Sequence, residues 1–290
     1  MKPSSFKYHN PQIRSEVLAL LREQENCKVL AGGQSLGPML NFRFVMPDHL
    51  IDLNRVTDLD GISISDSKVR LGAMTRQKSI ERDESLRRLC PIFSESLQWV
   101  GHYATRNRGT IGGSLSHLDP AAELPGICLL YDATLRVENA SGHRLVPANE
   151  WSVSFMTPNL EADELLTDVE FSPWTMPHGH AFVEFSRRHG DFAIAGVGCL
   201  LALDRSGLIK RIALSVIGVS STPFRLTGTE NDLIGNKPDD NALAYIHQAI
   251  DGIEASSDAQ TSGQYRKRIA RVLASRALEQ ASERAISAMQ

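Results

Sequence analysis

The stretch VLAGGQSLGPML, residues 29–40, places two adjacent glycines directly after a short apolar run. Glycine is needed where the backbone takes a positive φ, or where a side chain would keep a ligand away from the backbone. The stretch therefore allows two interpretations. Either Ser35 is a nucleophile on a sharp turn, or the bare backbone of residues 32–37, called here the first glycine segment, binds an anion. Pro38 favours the first turn of a helix after this segment.

The nucleophile interpretation rests on the pattern Gly33-x-Ser35-x-Gly37, which matches the G-x-S-x-G elbow of the α/β-hydrolases. Only one strand is predicted before this pattern, whereas the elbow usually lies in the middle of a sheet built by several earlier strands. The sequence singles out no His and Asp as partners, and so short a pattern often arises by chance. An α/β-hydrolase-like serine enzyme that uses Ser35 is kept as the alternative.

A second glycine-rich stretch, GTIGGSLSHLDPAAELP at residues 109–125, is called here the second glycine segment. Converging backbone N–H groups bind phosphate where side chains do not block it, and the hydroxyl groups of Ser35, Thr110 and Ser114 add donors. Either segment alone is typical of a tight turn with positive φ. The pair favours a ligand with two phosphates, such as a dinucleotide. A Rossmann site is not expected, because the G-x-G at 196–198 lies inside an apolar strand and lacks a third small residue.

The composition is that of an ordinary globular protein of 290 residues, long enough for two or three domains. Hydrophobic residues make up 42% and charged residues 22%, and the net charge is −3 without a basic block. Neither nucleic acid nor an acidic membrane surface is therefore expected as a partner. The N-terminal residues lack the apolar region of a signal peptide, and no apolar run is long enough for a membrane span, so we expect a cytoplasmic protein.

The four cysteines, Cys27, Cys90, Cys128 and Cys199, are far apart and form no CxxC pattern. In a chain without a signal peptide, isolated thiols with apolar neighbours indicate reduced, buried side chains. We therefore expect no metal or iron–sulfur site built from this chain alone.

Hydrophobic periodicity and turn residues predict a mixture of helices and strands. Helices are predicted at 12–23, at 79–101 with a break at Pro91, and at 264–281. Strands are predicted at 27–31, 49–53, 68–73, 134–138, 165–171, 181–186, 192–203 and 211–219. The best domain boundary is at residues 172–181, which contain two prolines and a glycine. Because Pro125 lacks a backbone N–H, we expect a helix to begin near Pro125 and residues 120–123 to lead into it as a loop.

Several stretches of the chain resemble a known family. They are FKYHNP, KVLAGGQSLGPML, HLIDLNRV, RLGAMT, RNRGTIGGSLSHLDPAAELP, RRHGDFAIAGV and YRKRIARVLASRAL. These stretches are similar to the FAD-binding (medium) subunits of the molybdenum hydroxylases, which include carbon-monoxide dehydrogenase, quinoline oxidoreductase, nicotinate or nicotine dehydrogenase and the flavin domain of xanthine dehydrogenase. The resemblance covers nearly the whole chain, and the pairing of the two glycine segments is its most specific part.

The resemblance implies an α+β fold in which a two-part FAD-binding domain of the PCMH type is followed by a small α/β C-terminal domain. The FAD-binding domain is expected at 1–175, with subdomains of about 1–57 and 58–175. The C-terminal domain, of the carbon-monoxide dehydrogenase flavoprotein type, is expected at 176–290.

The resemblance also implies the function. Such chains are one of three subunits, of which a large one holds a molybdenum–pterin centre and a small one holds two [2Fe–2S] clusters. Electrons pass through the clusters to FAD in the medium subunit and then to an external acceptor. A dimer of heterotrimers is expected. The sequence identifies neither the substrate of the complex nor the external acceptor. A stand-alone flavin-binding protein without partners is kept as a further alternative.

The two glycine segments and the resemblance together predict the residues that contact FAD. They are Leu30, Ala31, Gly32, Gly33, Gln34, Ser35, Leu36, Gly37, Gly101, His102, Thr110, Ile111, Gly112, Gly113, Ser114, His117, Asp119, Glu123, Leu166, Asp191 and Phe192. No catalytic residue and no metal ligand is predicted in the chain.

Three of these positions are expected near the isoalloxazine ring: Glu123, Phe192 and the backbone around Leu166. Phe192 is expected to shield one face of the ring or, alternatively, to be a core aromatic at the start of a strand. A carboxylate near the ring disfavours the reduced anion, because like charges repel most strongly where water is excluded. Replacing Glu123 with Gln is therefore expected to raise the flavin potential if the carboxylate is ionised.

The charged residues beside the segments have two interpretations each. Arg106 and Arg108 either face the pyrophosphate or belong to the surface. Arg187 and Arg188 either lie beside the flavin, as in the family, or form an ordinary polar strand edge.

Two histidines in the predicted linker, His178 and His180, are expected to be solvated loop residues, because no carboxylate stands at metal-ligand spacing. Many relatives carry a lysine in the strand before the arginine pair, whereas residues 182–185 here read Phe-Val-Glu-Phe. The contact from this strand to the flavin is therefore in doubt.

Overall fold

The computed structural model describes residues 2–65 and 67–290, which form three layered units. The N-terminal unit is a small parallel sheet with strand order β1-β3-β2 and two helices. Its elements are β1 (Lys7–His9), α1 (Arg14–Glu23), β2 (Cys27–Leu30), α2 (Leu36–Asn41) and β3 (His49–Asp52).

The N-terminal unit is held by its apolar residues. Val17 and Leu21 lie one helical turn apart on α1 and are buried against Ile51 of the central strand. The same core continues into the next unit through Leu59 and Leu165. The first glycine segment follows the carboxyl end of β2, and this packed core supports the strand from which it begins.

The second unit is an antiparallel five-stranded sheet, with order β4-β5-β10-β6-β7, that packs against several short helices. A 3-10 helix, Thr57–Leu59, leads into it. Its first strands and helices are β4 (Ile62–Ile64), β5 (Val69–Gly72), α3 (Gln77–Arg82), α4 (Glu84–Leu89), α5 (Pro91–Leu97), α6 (Tyr103–Arg108), α7 (Ile111–His117) and α8 (Glu123–Leu130). Its remaining elements are β6 (Thr134–Asn139), β7 (Gly142–Pro147), α9 (Ala148–Trp151), the small hairpin β8 (Ser152–Ser154) and β9 (Thr157–Pro158), and β10 (Leu165–Phe171).

The third unit is a four-stranded antiparallel sheet with three helices. Its elements are β11 (Gly179–Phe185), β12 (Ala195–Leu203), β13 (Ile209–Ile217), β14 (Phe224–Arg225), α10 (Thr227–Leu233), α11 (Asp240–Gly252) and α12 (Gly263–Met289). All nine residues of β12 are buried, because the strand is covered on both faces. Leu200 belongs to the core shared with the second unit, whereas Cys199 and Leu201 face the core formed with α12.

This two-sided packing explains the Gly-x-Gly at 196–198. A β-carbon at Gly198 would lie 2.7 Å from Cδ1 of Leu130 on α8, and one at Gly196 would lie 2.8 Å from Cγ1 of Ile217. Real β-carbons do not approach so closely, so these glycines serve strand and helix packing. The prediction that this G-x-G belongs to a close-packed strand is confirmed.

Two helix predictions were wrong in detail. The predicted helix at 79–101 breaks a second time at Asp83, whose carboxylate accepts a hydrogen bond of 2.8 Å from the backbone N–H of Leu86 and so caps α4. Helix α8 begins at Glu123, with Pro125 as its third residue. A proline is tolerated there because N–H groups in the first turn have no acceptor within the helix. Glu123 therefore lies in a helix and not in a loop.

No helix among the described residues is long and apolar enough to cross a bilayer. Within the same part of the chain no cluster of three or more His, Cys, Asp or Glu side chains has the arrangement of a metal site. Three cysteines, Cys90, Cys128 and Cys199, are buried, and desolvation raises the pKa of each thiol. Cys27 is half-buried, so the prediction of buried thiols holds for three of the four.

Candidate flavin site

The two glycine segments lie against each other. A β-carbon at Gly32 would overlap the carbonyl oxygen of Arg108 and lie 2.8 Å from Cα of Gly109. A β-carbon at Gly113 would lie 3.5 Å from that of Ala31. The tertiary structure thus brings together the motifs that the sequence analysis paired. The glycine at position 32 is needed for the close approach of the two backbones.

The first glycine segment presents unused backbone donors. Gly33 has φ +72°, a conformation that favours glycine, and it turns the chain from β2 towards α2. Among the described residues, no acceptor receives a hydrogen bond from the backbone N–H groups of residues 31–36, whereas Gly37 N–H donates to the carbonyl of Gly33 at 2.9 Å. Consecutive free N–H groups at a turn before a helix form an anion-binding concavity.

The second glycine segment has a different construction. The backbone N–H of Ile111 donates to the carbonyl of Thr75 at 3.1 Å, that of Gly112 to the carbonyl of Ala73 at 2.8 Å, and that of Gly113 to Oγ1 of Thr110 at 3.0 Å. These residues are the first turn of α7, with Thr110 as N-cap. The expectation of a second backbone loop with free donors is therefore wrong.

The glycines of the second segment serve packing. A β-carbon at Gly112 would lie 2.6 Å from the carbonyl oxygen of Ala73, so the start of α7 can lie flat against the end of β5. The side chain of Ser114, one turn into the helix, is half-buried.

Arg76 and Asn54, which belong to neither glycine segment, join the two segments. The guanidinium of Arg76 donates to the carbonyl of Arg108 and, at 2.6 Å, to Oδ1 of Asn54. Nδ2 of Asn54 donates in turn to the carbonyl of Ala31 at 3.1 Å. Burial and the positive charge of Arg108 lower the pKa of Arg76, which stays a cation. The fork of one arginine thus fixes both backbones and adds positive charge beside the free N–H groups. No sequence motif marks Arg76.

A second group of predicted residues meets at the junction with the third unit. A β-carbon at Gly190 would lie 2.6 Å from the carbonyl oxygen of Gly101 and 3.3 Å from Nδ1 of His102. Asp191 follows directly; its carboxylate pairs with Arg187 at 3.1 Å and accepts the N–H of Phe192 at 3.0 Å. Asp191 therefore shapes the turn.

Phe192 is 71% exposed and precedes β12, which begins at Ala195. The alternative that Phe192 is a core aromatic at a strand start is therefore wrong. An exposed phenyl ring beside a predicted cofactor site is available for contact with an apolar surface. Helix α6 connects this group to the glycine segments across six residues, about 9 Å of helix.

Glu123 is buried at the start of α8, with 8% of its surface exposed. Burial, followed by the negative charge of Asp119, raises the pKa of this carboxyl group, whereas the positive charge of Arg106 lowers it. The pKa is about 8 as a result. At neutral pH the group is therefore mostly protonated. The expectation that Glu123 turns freely towards a ligand as a loop carboxylate is wrong. Its predicted effect on the flavin potential at neutral pH loses its basis, because that effect requires the ionised form.

Three further predicted residues have structural roles of their own. Burial lowers the pKa of His117 on α7, and Asp119 acts against this shift. Oδ1 of Asp119 accepts the backbone N–H of Ala121 at 2.8 Å and forms the turn before α8. Leu166 is buried in β10, where the register against β6 shifts between Leu166 and Asp168.

Four arginines are assigned by their contacts. Arg106 is mostly buried, pairs with Glu81 at 2.9 Å and donates to the carbonyl of Val100, so it belongs neither to a pyrophosphate site nor to the surface. Arg108 is exposed. The exposed Arg187 and Arg188 belong to the turn that carries Phe192.

His180 departs from its prediction as a solvated loop residue. It lies in β11, 3.5 Å from the carboxylate of Glu95. Arg284 pairs with the same carboxylate at 2.9 Å and neutralises it. Burial and the charge of Arg284 therefore lower the pKa of His180 to about 4. His178 is half-buried, and its Nδ1 lies 2.8 Å from the carbonyl of Met176.

Ser35 does not have the geometry of a nucleophile. Its φ of −98° and ψ of −51° are ordinary helical values, whereas a nucleophile elbow is strained. In the described parts of the chain, the Ser35 hydroxyl has no hydrogen bond to a histidine. The strand before it is the edge of a three-stranded sheet. The features of a hydrolase are therefore missing at this position.

Comparison with known proteins agrees with this arrangement. A family model described as "FAD binding domain in molybdopterin dehydrogenase" matches residues 4–174. The chain belongs to this family. Residues 180–281 match a second model, "CO dehydrogenase flavoprotein C-terminal domain". The predicted family and the predicted α+β fold class are confirmed.

Individual relatives of this flavoprotein family match over nearly their whole length. The 6-hydroxypseudooxynicotine dehydrogenase complex subunit alpha of Paenarthrobacter nicotinovorans is 39% identical over 289 residues, which cover 98% of this chain and 97% of that protein. The carbon monoxide dehydrogenase medium chain of Hydrogenophaga pseudoflava is 32% identical over 284 residues, covering 97% and 98%. The solved structure of reconstituted CO dehydrogenase from Oligotropha carboxidovorans matches with a TM-score of 0.95 at 31% identity, covering 98% of this chain and 100% of that one.

The chain is therefore an FAD-binding medium subunit of the molybdenum hydroxylase family and a component of an oxidoreductase. The residues present fit the cofactor, because free backbone donors, an arginine and an exposed aromatic ring are the groups that a dinucleotide with a flat ring requires.

Proposed function

We propose that this chain transfers electrons from the [2Fe–2S] clusters of a partner subunit through its FAD to an external acceptor. The observation that carries the proposal is the row of free backbone N–H groups at residues 31–36, held against the second glycine segment in a chain of the FAD-binding family. The FAD-binding domain is residues 1–175, with subdomains of about 1–57 and 58–175, and the C-terminal domain is residues 176–290.

The residues of the chain bind and orient the cofactor. The N–H groups of the first glycine segment hold the pyrophosphate, with charge from Arg76 behind them. Thr110 and Ser114 at the start of α7 line the opposite side. Phe192, with Gly101 and His102 below its turn, covers the ring.

The flavin, when bound, supplies the redox chemistry, since it accepts and releases single electrons as well as pairs. This chain needs only to position the ring, to set its potential and to keep one edge open to the electron donor. We assign the remaining predicted residues to the walls of the same site: Leu30, Ala31, Gly32, Gly33, Gln34, Ser35, Leu36, Gly37, Ile111, Gly112, Gly113, His117, Asp119, Glu123, Leu166 and Asp191.

The partners in this proposal are a large molybdenum–pterin subunit and a small [2Fe–2S] subunit in a dimer of heterotrimers in the cytoplasm. Relatives support it by their names, since one is a subunit of a dehydrogenase complex and another is a medium chain. The cluster of exposed Phe42, Phe44 and Met46 offers an apolar area for such a contact.

Purification of the native protein by size exclusion, with identification of every chain in the peak and a visible spectrum, tests the proposal. A flavin spectrum together with iron–sulfur and molybdenum-binding chains is expected. A yellow, partner-free and catalytically active monomer would support the stand-alone flavoprotein and overturn the complex.

A matched pair of variants tests the site itself. Gly33→Val places a branched side chain at a positive φ among the free N–H groups and is expected to abolish FAD binding. Gly235→Val, at a turn where no atom lies within 4 Å of an added β-carbon, also has a positive φ, +81°, and serves as the control for backbone strain. Equal FAD content in both variants would contradict the assignment of the first glycine segment.

A further inference from the structure

Two successive carbonyl groups at the start of the first glycine segment accept hydrogen bonds from side-chain amides. Nδ2 of Asn54 donates to the carbonyl oxygen of Ala31 at 3.1 Å, and Nε2 of Gln34 donates to that of Gly32 at 3.0 Å. The N–H groups of the same two peptide bonds belong to Gly32 and Gly33, and within the described chain they donate to no acceptor. The protein thus occupies the acceptor side of both peptide groups and leaves the donor side open.

The contact at each carbonyl sets the direction of the N–H group in the same peptide bond. A peptide bond is planar, and in the trans form its C=O and N–H point in opposite directions. No peptide bond of the described chain is cis. The hydrogen bond from Asn54 therefore turns the N–H of Gly32 away from Asn54, and the bond from Gln34 does the same for the N–H of Gly33.

The two glycines leave this direction undecided by themselves. A peptide group that turns over changes ψ of the residue before it and φ of the residue after it, and glycine tolerates either sign of φ. Gly32 is needed because of its contact with the Arg108 carbonyl, and Gly33 because of its φ of +72°. A group that turned over would present a carbonyl oxygen in place of an N–H, and the partial negative charge of that oxygen repels an anion.

Asn54 is itself held at both ends of its amide group. Its Oδ1 accepts a hydrogen bond from Arg76 at 2.6 Å, whereas its Nδ2 and its backbone N–H both donate to Oδ1 of Asp52, the backbone bond at 2.8 Å. The hydroxyl of Tyr8 donates to Oδ2 of the same carboxylate at 2.6 Å. Because the amide oxygen faces a donor and the amide nitrogen faces acceptors, the Asn54 side chain has one orientation that satisfies all of these groups.

The link between the two glycine segments does not by itself require a donor to Ala31. Arg76 already reaches the carbonyl of Arg108 directly. Asn54 adds a hydrogen bond to the one carbonyl whose peptide partner, the N–H of Gly32, remains free. This arrangement of an occupied carbonyl and a free N–H recurs in the next peptide bond, which indicates a role in ligand binding beyond packing.

We propose that Asn54 is a positioning residue, which keeps the N–H of Gly32 turned towards the phosphates of the cofactor. Asp52 and Tyr8 hold Asn54 in place, and Gln34 has the same role for the next N–H group. The inference rests on the proposed function. Asn54 acts through the carbonyl that it occupies and needs no contact with the cofactor. The preference of the segment for an anion thus depends on side chains that hold its carbonyl groups, in addition to the glycines.

The first test observes the N–H of Gly32 by NMR in the cofactor-free full chain. Alanine labelled with ¹³C at its carbonyl and glycine labelled with ¹⁵N together select the peptide bonds in which Gly follows Ala, and the sequence contains two, at 31–32 and 195–196. The probe is ADP, which carries two phosphates without a flavin. ADP is expected to shift the Gly32 signal and to leave that of Gly196, inside β12, unchanged. A Gly32 signal that does not respond to bound ADP would overturn the proposal.

The second test removes the amide donors. Asn54→Leu is expected to weaken the binding of ADP and FAD at least about tenfold and to abolish the response of the Gly32 signal. Gln34→Met, at an exposed position, is expected to weaken both about threefold. Asn241→Leu and Gln248→Met, at exposed positions of α11, are the matched controls and should bind like the wild type.

A pair of substitutions at Asp52 separates hydrogen bonding from charge. Asp52→Asn keeps an oxygen that can accept from Asn54 and is expected to retain most of the ADP affinity. Asp52→Leu keeps none and is expected to lose affinity. Both variants remove the same negative charge, so a difference between them reports on the hydrogen bonds alone. Equal affinities in this pair would contradict the support that Asp52 gives to Asn54.

The possible failures are distinguishable. If the wild-type chain binds neither FAD nor ADP, the proposed function fails and the inference with it. If the wild type binds both ligands and Asn54→Leu binds them equally well, with the same shift of the Gly32 signal, only the positioning role is refuted. If Asn54→Leu does not fold, which the Gly196 signal reports, Gln34→Met and the two Asp52 variants decide the question.

Discussion

Gly32 packs directly against the backbone carbonyl group of Arg108, so closely that a β-carbon at position 32 would overlap the carbonyl oxygen. This contact joins two segments that are far apart in the chain and holds the free N–H groups of the first against the helix that starts in the second. The geometry of the candidate flavin site therefore depends on the absence of a β-carbon at position 32.

Gly32→Ala is expected to weaken FAD binding at least tenfold, because the first glycine segment must move away from Arg108 to make room. The overpacking should also cost about 1–3 kcal/mol of unfolding free energy. Titration of the cofactor-free chain with FAD and urea unfolding measure the two effects. Gly228→Ala, within α10 at a position where no atom lies within 4 Å of a β-carbon, is the control and should leave FAD affinity unchanged without lowering the unfolding free energy. Full FAD affinity in Gly32→Ala would show that the contact is dispensable.

Arg76→Met is expected to lower FAD affinity about tenfold, since both segments lose the guanidinium that joins them. Arg76→Lys should not restore the affinity, because one ammonium group cannot reproduce the fork between the Arg108 carbonyl and Asn54. Arg205→Met, at an exposed position, is the matched control. Restoration by lysine would mean that charge alone matters and that the bridging geometry does not.

Phe192→Ala is expected to change the visible spectrum and fluorescence of bound flavin while unfolding free energy stays within about 0.5 kcal/mol, since an exposed side chain adds little to stability. Phe155→Ala, at a position that is 61% exposed in the turn between β8 and β9, should leave the spectrum unchanged. An identical spectrum in Phe192→Ala would place the ring elsewhere.

Arg225→Met is expected to destabilise the protein by about 3–5 kcal/mol, because it leaves the carboxylate of Glu230 buried without its partner. Glu230 is 6% exposed, lies 3.0 Å from Arg225 and also accepts the N–H of Leu214. Arg22→Met breaks a pair that is exposed on both sides, with Glu23, and should cost less than about 0.5 kcal/mol. Similar losses for both variants in urea unfolding would show that the buried pair is worth no more than a surface one.

His180 should make stability fall on the acid side. Its pKa of about 4 in the folded state lies below the usual value, so the unfolded chain binds a proton that the folded chain does not. The contribution of His180 to the free energy of unfolding is therefore fully present above about pH 6.5. It falls by about 2–3 kcal/mol as the pH drops towards 4. His180→Gln should flatten this part of the curve, and His143→Gln, at an exposed position, should not. Parallel curves for wild type and His180→Gln would disprove the assignment.

Much of this protein could be predicted from local patterns. The strand before Gly32, the amphipathic helix with Val17 and Leu21, and the buried strand through residues 196–198 follow from periodicity, which acts over neighbouring residues. The two glycine segments indicated a dinucleotide because glycine is required wherever backbones approach or bind ligands. Their resemblance to one family supplied the fold and the cofactor.

The roles of the individual glycines could not be predicted in this way. Both segments contain the same Gly-Gly pair. The first presents free N–H groups, whereas those of the second donate hydrogen bonds to Ala73, Thr75 and Thr110. Which acceptors lie nearby depends on how β5 packs against α7, and this is decided by residues distant in sequence. For the same reason no pattern marked Arg76 as the link between the segments.

The sequence alone determined the elements, the family and the kind of ligand, because these depend on residue type and short spacing. Only the tertiary structure decided the charge of the site. A glutamate in the sequence reads as an anion, but Glu123 and Glu184 are buried in the folded chain, and burial raises the pKa of each carboxyl and favours the protonated form. Desolvation is a property of the packed junction and not of either residue, so the proton it stabilises appears only once the chain is folded.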